Sequence, residues 1–252
     1  MTPVEFALAG VAAAAAGVVN ALAGGGTLIS FPALLALGVP PIAANVTNAV
    51  ALSPGYFGAT LAQRENLRGQ SQRLWWCVPA AILGGLTGGI ILLNTHERTF
   101  QQLVPWMLLV ASVLLALQDR IRSAVARRLA RSHRHLSTAA VVIPVAAAGI
   151  YGGFFTAGMS VIVLAVLGAM LDDTLTRLNA LKQIIAFSIN IAAAVFFLFS
   201  DQLIWPLAAA MAVGATIGGA VGGRVARKMN PNVLRWIVVI VGFGLAVYYW
   251  IK

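Results

Sequence analysis

Apolar residues along this chain come in long runs, without the strict alternation of a half-buried strand. Runs at roughly 4–23, 42–62, 74–93, 100–118, 139–157, 174–199, 203–222 and 233–251 each hold about 18–26 residues. A helix rising 1.5 Å per residue needs about 20 residues to cross a hydrocarbon core about 30 Å thick. Two further runs, 27–38 and 159–170, span only about 12 residues, or roughly 18 Å of helix. Each is too short to cross unaided and is expected to join its predecessor in a broken or re-entrant hairpin. The breaks are placed at Gly24–Gly25–Gly26 and around Thr156–Ala157–Gly158. Unbroken apolar runs exclude in practice a transmembrane β-barrel, whose strands alternate apolar and polar positions.

The pattern occurs twice. Gly17-VVNALAGGGTLISFPALLALGVPPIAANVTNAVA aligns without gaps on Gly149-IYGGFFTAGMSVIVLAVLGAMLDDTLTRLNALKQ at an offset of about 132 residues. Gly17 falls on Gly149, Gly26 on Gly158, and Pro40–Pro41 on Asp172–Asp173. Identity between the copies is low, so what repeats is hydropathy, breaks and polar positions. An internal duplication with interrupted short segments points to a secondary transporter. The expected fold is an all-α integral membrane protein with two inverted-topology repeats, each a broken or re-entrant hairpin plus transmembrane helices. Its single transmembrane domain, 1–252, divides into repeat one at 1–118, a basic cytoplasmic loop at 119–137 and repeat two at 138–252.

Composition agrees with a membrane class. The chain is 60% hydrophobic and 10% charged, against a charged quarter in ordinary soluble domains. A net charge of +10 invites a nucleic-acid reading, but the distribution of that charge rejects it. Arg64, Arg68 and Arg73 form one cluster, and Arg120, Arg122, Arg127, Arg128, Arg131 and Arg134 form a second. Arg224, Arg227, Lys228 and Arg235 form a third. Basic clusters between apolar runs mark cytoplasmic loops, and an affinity of the central one for anionic lipid headgroups is an added role. Loops 63–73, 119–137 and 224–235 should share the cytoplasmic side, with 94–99 and 200–203 outside. The repeats then oppose each other across the membrane and both termini face outward. Cys77 is the single cysteine, and His96, His133 and His135 fall in predicted loops, so no disulfide, metal or other cofactor is expected.

Polar residues inside apolar runs are costly to insert and are therefore candidates for function. The acidic residues Glu5, Glu65, Glu97, Asp119 and Asp201 sit at segment ends or in loops. Asp172 and Asp173 approach membrane depth just before a helix start, where N-capping and the helix dipole account for them. On the following helix, Asn179, Lys182, Gln183, Ala186 and Asn190 share a face at about 100° per residue, while Arg177 points elsewhere and is a further substrate-binding candidate for an anion. One cation with three amides after a broken hairpin suits an anion, since these donors replace lost hydration. The competing role for Lys182 is snorkelling to an interface or pairing with Asp172 or Asp173. In the first half, Asn45, Thr47 and Asn48 hold the corresponding helix start, and Ser53–Pro54–Gly55 is expected to kink that helix. Asn48 and Ser53 either line a site or bond neighbouring helices. Gly25 and Gly26 permit positive φ and close backbone approach to a ligand. Gly84, Gly85, Gly88, Gly89 and Gly218, Gly219, Gly222, Gly223 read as helix-packing positions.

The segment GGGTLISFPALLALGVPPIAANVTNAVA resembles the hairpin-and-helix motif of the TauE/SafE sulfite-exporter family, and LDDTLTRLNALKQ resembles that family's second repeat. The resemblance spans essentially the whole chain. It implies a bacterial inner-membrane carrier of sulfite or related sulfur-containing anions, often linked with sulfonate breakdown. Carried over by position, Gly25, Gly26, Thr47 and Asn48 sit at the first hairpin and helix start, and Asn179 and Lys182 at the second. One departure is Phe154-Phe155-Thr156-Ala157-Gly158-Met159, where the family often has a glycine run.

These readings converge on an alternating-access carrier of a small anion such as sulfite or an organosulfonate, exported across the bilayer without nucleic-acid partners. A proton or ion gradient is a candidate driving force, although no convincing coupling carboxylate is present. Two rivals remain. A passive anion channel could use the same amide-and-cation lining. An intramembrane lipid-phosphate hydrolase would need a buried His or Glu near the breaks, and none is found there.

Overall fold

The computed structural model describes residues 2–22, 25–131, 138–225 and 231–251. Ten α-helices and two 3-10 turns lie among them. The first five helices are α1 (Pro3–Leu22), α2 (Thr27–Ala36), α3 (Pro41–Ala62), α4 (Ser71–Leu93) and α5 (Glu97–Arg131). The second five are α6 (Val142–Phe154), α7 (Met159–Met170), α8 (Leu175–Phe197), α9 (Trp205–Val225) and α10 (Pro231–Ile251). Among the described residues there is no strand, and six helices (α1, α4, α5, α8, α9 and α10) are long and apolar enough to cross a membrane. The chain is an all-α integral membrane protein. Helix α3 is also long enough at 22 residues, but polar residues including Asn45, Thr47, Asn48 and Ser53 lower its hydropathy.

Both expected breaks are present. Gly25 has φ +87° and Gly158 has φ +80°, a region that residues with a Cβ avoid. Gly24 lies outside the described residues. The basic loop expected over 119–137 is corrected in part, because α5 continues as helix through Arg131. Hydropathy reports where a helix leaves lipid, not where it stops, and this tail is rich in Ala and Arg, both good helix formers. Two contacts hold it: Arg128 Nη1 donates to the Gly168 carbonyl at 2.6 Å, and Val125 packs where a Cβ on Gly168 would stand.

The packing interleaves the halves. α1 lies along α9, and α6 lies along α4 in the same way. A Cβ on Gly218 would strike the Ala14 carbonyl, and one on Gly84 would strike the Ala146 carbonyl. Ala14 and Ala146 are themselves separated by the repeat offset of about 132 residues. Both seams depend on missing side chains to let backbones approach, as membrane helices commonly do.

Helices α3 and α8 cross at the centre. Asn190 bonds Ser53 and Ala49 there, the Gln183 carbonyl accepts from Thr60 Oγ1 at 3.5 Å, and the Arg177 carbonyl accepts from Gln70 Nε2 at 3.2 Å. Numbers rise along α3 and the turn after it while they fall along α8, so the two helices run antiparallel. The described parts of the three basic stretches collect at one end of the molecule, where Arg73 pairs with Asp173 and Arg235 pairs with Asp119. Exposed Trp75, Trp76 and Trp236 ring that end, and exposed Trp106, Trp205 and Trp250 ring the other. Aromatic belts of this kind sit at the two membrane–water interfaces.

Candidate functional site

The start of α3 carries the densest group of buried polar side chains. Pro41 occupies the first helical turn, where its missing N–H costs nothing. The Ile42 N–H donates to Glu97 Oε1 at 3.0 Å, a carboxylate placed where the helix dipole favours it. One turn in, Asn45 Nδ2 donates to the Phe154 carbonyl at 2.9 Å, tying α3 to the break between α6 and α7. Thr47 Oγ1 accepts from the Ile204 N–H at 3.2 Å, tying α3 to the entry of α9. Asn48 is fully buried, and neither its Nδ2 nor its Oδ1 has a partner; Asn45 Oδ1 is likewise unpaired. A buried polar group left unpaired costs about 1–3 kcal/mol.

Just beyond, Ser53 and Asn190 are satisfied by each other. Ser53 Oγ lies 2.8 Å from Asn190 Oδ1 and 3.0 Å from the Ala49 carbonyl, and Asn190 Nδ2 donates to that carbonyl at 3.3 Å. The expected kink at Pro54 falls within a continuous α3, braced from outside by Asn190.

Among the candidates on α8, Arg177 is engaged elsewhere. Its Nε meets the Asp173 carboxylate at 3.0 Å and its Nη1 donates to the Arg68 carbonyl at 3.0 Å. Asp173 also takes Arg73 and the Thr174 N–H. Burial pushes the Asp173 carboxyl up, but the bonds from Arg177, the Thr174 N–H and Arg73 together outweigh it and hold the group below its usual 3.8. Thr174 is the N-cap of α8, accepting from the Arg177 N–H; Asp173 serves the ion pairs instead. The alternative pairing of Lys182 with Asp172 or Asp173 is not formed. Lys182 is half-buried and feels the like charge of Arg122 on the α5 tail. Asn179 Nδ2 turns back to the Leu175 carbonyl at 3.0 Å, and Gln183 meets α3 through its backbone. The face expected on α8 is thus divided, with Asn190 at the crossing and the other three nearer the basic end.

Gly25 and Gly26 are held against protein. A Cβ on Gly25 would stand 3.0 Å from Leu115 Cδ2, and one on Gly26 would strike the Ala16 carbonyl. Gly26 N–H donates to Asn20 Oδ1 at 2.7 Å. On the other side, a Cβ on Gly158 would meet Leu114 Cδ1 at 3.1 Å. One stretch of α5 therefore backs both breaks, a convergence that no local pattern announces. Ser112 on that stretch has a buried, unpaired hydroxyl; one serine in an apolar run was its only signal. Tyr151 Oη staples the second break by donating to the Ala157 carbonyl at 2.8 Å.

A multi-pass helical membrane protein with unpaired amides buried between its halves has the make-up of a transporter. The family model of the sulfite exporter TauE/SafE matches residues 9–249, and the chain belongs to that family. A probable membrane transporter protein of Haemophilus influenzae is 25% identical over 225 residues, covering 89% of this chain and 86% of that protein. The probable membrane transporter protein YfcA of Escherichia coli K12 is 22% identical over 229 residues, covering 90% and 82%. The probable membrane transporter protein ORF9 of a Sinorhizobium species is 25% identical over 242 residues, covering 94% and 89%. No solved structure matches the chain significantly. The protein is a membrane transporter.

Proposed function

We propose that this transporter is an alternating-access exporter of a small sulfur-containing anion such as sulfite or an organosulfonate. It acts in a bacterial inner membrane, and its basic end faces the cytoplasm. The observation that carries this reading is Asn48, an amide with no protein partner at zero exposure, best explained by a ligand that the site admits when it opens. The substrate lies beside the α3–α8 crossing, against the break after Phe154. Amide donors there replace hydration, and Lys182, two turns into α8, adds positive potential on the path to the basic end. The antiparallel α3 and α8, and the interchangeable α1–α9 and α4–α6 seams, support two inverted repeats rocking against each other. With the basic end inside, both termini lie outside.

Counterflow in proteoliposomes tests the mechanism. Unlabelled sulfite on the far side should accelerate uptake of labelled sulfite, whereas a channel shows no such trans-acceleration. Lys182→Gln should weaken uptake while leaving the amount of inserted protein unchanged. Uptake of neither sulfite nor a sulfonate would overturn the assignment.

A further inference from the structure

The pairing of Asn45 has a consequence for the form in which substrate binds. Its Nδ2 donates to the Phe154 carbonyl, which fixes the orientation of the amide and leaves Oδ1 as an acceptor. That oxygen receives nothing, in a residue 1% exposed. Asn48, three residues on and on the same helix face with Cβ atoms about 5–6 Å apart, adds one unpaired oxygen and an unpaired NH2 group. The group therefore has a surplus of acceptors, the reverse of what a fully ionised oxyanion requires.

We propose that the site binds its oxyanion singly charged and still carrying a hydroxyl, as in hydrogensulfite. The proposal rests on the reading above that a sulfur oxyanion binds beside the α3–α8 crossing. A hydroxyl donates to Asn45 Oδ1 while the charged oxygens accept from Asn48 Nδ2, so the orphan oxygen of Asn45 and the orphan NH2 of Asn48 are paired at once. A dianion offers only acceptors. It would set an oxygen against Asn45 Oδ1 and bring a second charge into a buried place without a neutralising partner. Arg177 is held by Asp173, and Lys182 stands eight residues from Asn190, about 12 Å along α8.

The substrate's own proton then crosses with it. No protein carboxylate has to carry one, in keeping with acidic residues that stand at helix ends, in loops or, for Asp119, on the basic tail of α5 in an ion pair with Arg235. Among the charged groups on the elements packed against α3, Glu97 comes within one turn of Asn45, where its Oε1 accepts from the Ile42 N–H at 3.0 Å. The others are Glu5 on α1, Arg98 and the basic tail with Asp119 on α5, Arg64 and Glu65 after α3, and Arg177 and Lys182 on α8, while α3 itself carries Tyr56. α2 has no titratable group, and the one charged residue of α9, Arg224, is its penultimate residue.

The test is ligand-induced thermal stabilisation of the purified full-length protein, titrated with sulfite on both sides of sulfite's second ionisation, which falls near neutral pH. Methanesulfonate, a permanent monoanion without a hydroxyl, is the parallel probe. The expected result is an apparent Kd for total sulfite that rises about tenfold per pH unit above that ionisation, with methanesulfonate binding more weakly and without a pH slope. Asn45→Leu should shrink the preference for hydrogensulfite over methanesulfonate at least tenfold; if that variant does not fold, the wild-type series decides alone. Sulfite affinity that is flat or improves with pH overturns the proposal and leaves the transport reading standing. The same slope for both probes also overturns it, because a protein group would then be titrating. Binding of neither probe at any pH overturns the transport reading and this proposal together.

Discussion

Replacing Asn48 by leucine separates a group kept for function from one kept for folding. Leucine keeps the branched heavy-atom skeleton of asparagine, with somewhat bulkier methyls in place of the amide atoms, and has no polar atoms. In the folded protein both amide atoms of Asn48 are buried without partners, a penalty of about 1–3 kcal/mol that leucine removes. Asn48→Leu should therefore stabilise the protein by about that amount, or roughly 2–4 °C in Tm per kcal/mol for a chain of this size. Asn190→Leu, a chemically identical change at the crossing, removes the bonds to Ser53 and the Ala49 carbonyl. At about 0.5–1.5 kcal/mol each, that change should cost about 1–3 kcal/mol. For function, a hydrogen bond to a charged ligand contributes about 1.5–3 kcal/mol, so Asn48→Leu should weaken sulfite binding about 10- to 150-fold. The assay is thermal melting in detergent with and without sulfite, followed by uptake into proteoliposomes. A variant that melts lower than wild type, as Asn190→Leu should, would show that Asn48 has a structural partner. Undiminished protection by sulfite would remove it from the site.

Three further outcomes follow from the packing and charge. Asp173→Asn should destabilise the basic end by about 1.5–3 kcal/mol for each charged hydrogen bond lost. In wild type, the stability from Asp173 should be complete above 3.8 and fall away as pH drops through the lower folded-state value, a loss absent from the variant in pH-dependent melts. Gly218→Val and Gly84→Val should each reduce folded protein sharply, because even a Cβ collides with the Ala14 or Ala146 carbonyl, whereas Gly55→Val, with open space around it, should be tolerated; fluorescence-detected size exclusion reads both. A cysteine at exposed Ser123 should be labelled only by reagents reaching the cytoplasm and one at exposed Asn94 only from outside, with native Cys77 silent because it is buried. Labelling of both from one side would refute the orientation.

The ten helices were legible because a bilayer imposes them. A backbone in hydrocarbon must satisfy its own hydrogen bonds, so lengths of apolar runs translate almost directly into α1–α10. The breaks were legible for a related reason, since positive φ at Gly25 and Gly158 needs glycine. The α5 tail was misjudged as a loop because hydropathy senses lipid and a helix can outlast it.

The site divides along the same line. Cost of insertion alone marked Asn45, Thr47, Asn48, Ser53, Lys182 and Asn190 as residues needing a reason. Partners decided which reason. Asn48 and Asn190 are the same side chain in similar apolar runs, yet one is bonded across the crossing and the other faces nothing. Arg177 reads as an anion ligand in sequence and is half of an ion pair in space, because Asp173 and the Arg68 carbonyl reach it from before α8 and from the turn before α4. Insertion energy depends on a residue and its immediate run, so sequence alone determined which positions carry it. Satisfaction of a polar group depends on atoms supplied by helices distant in the chain, and those only the tertiary structure brings together.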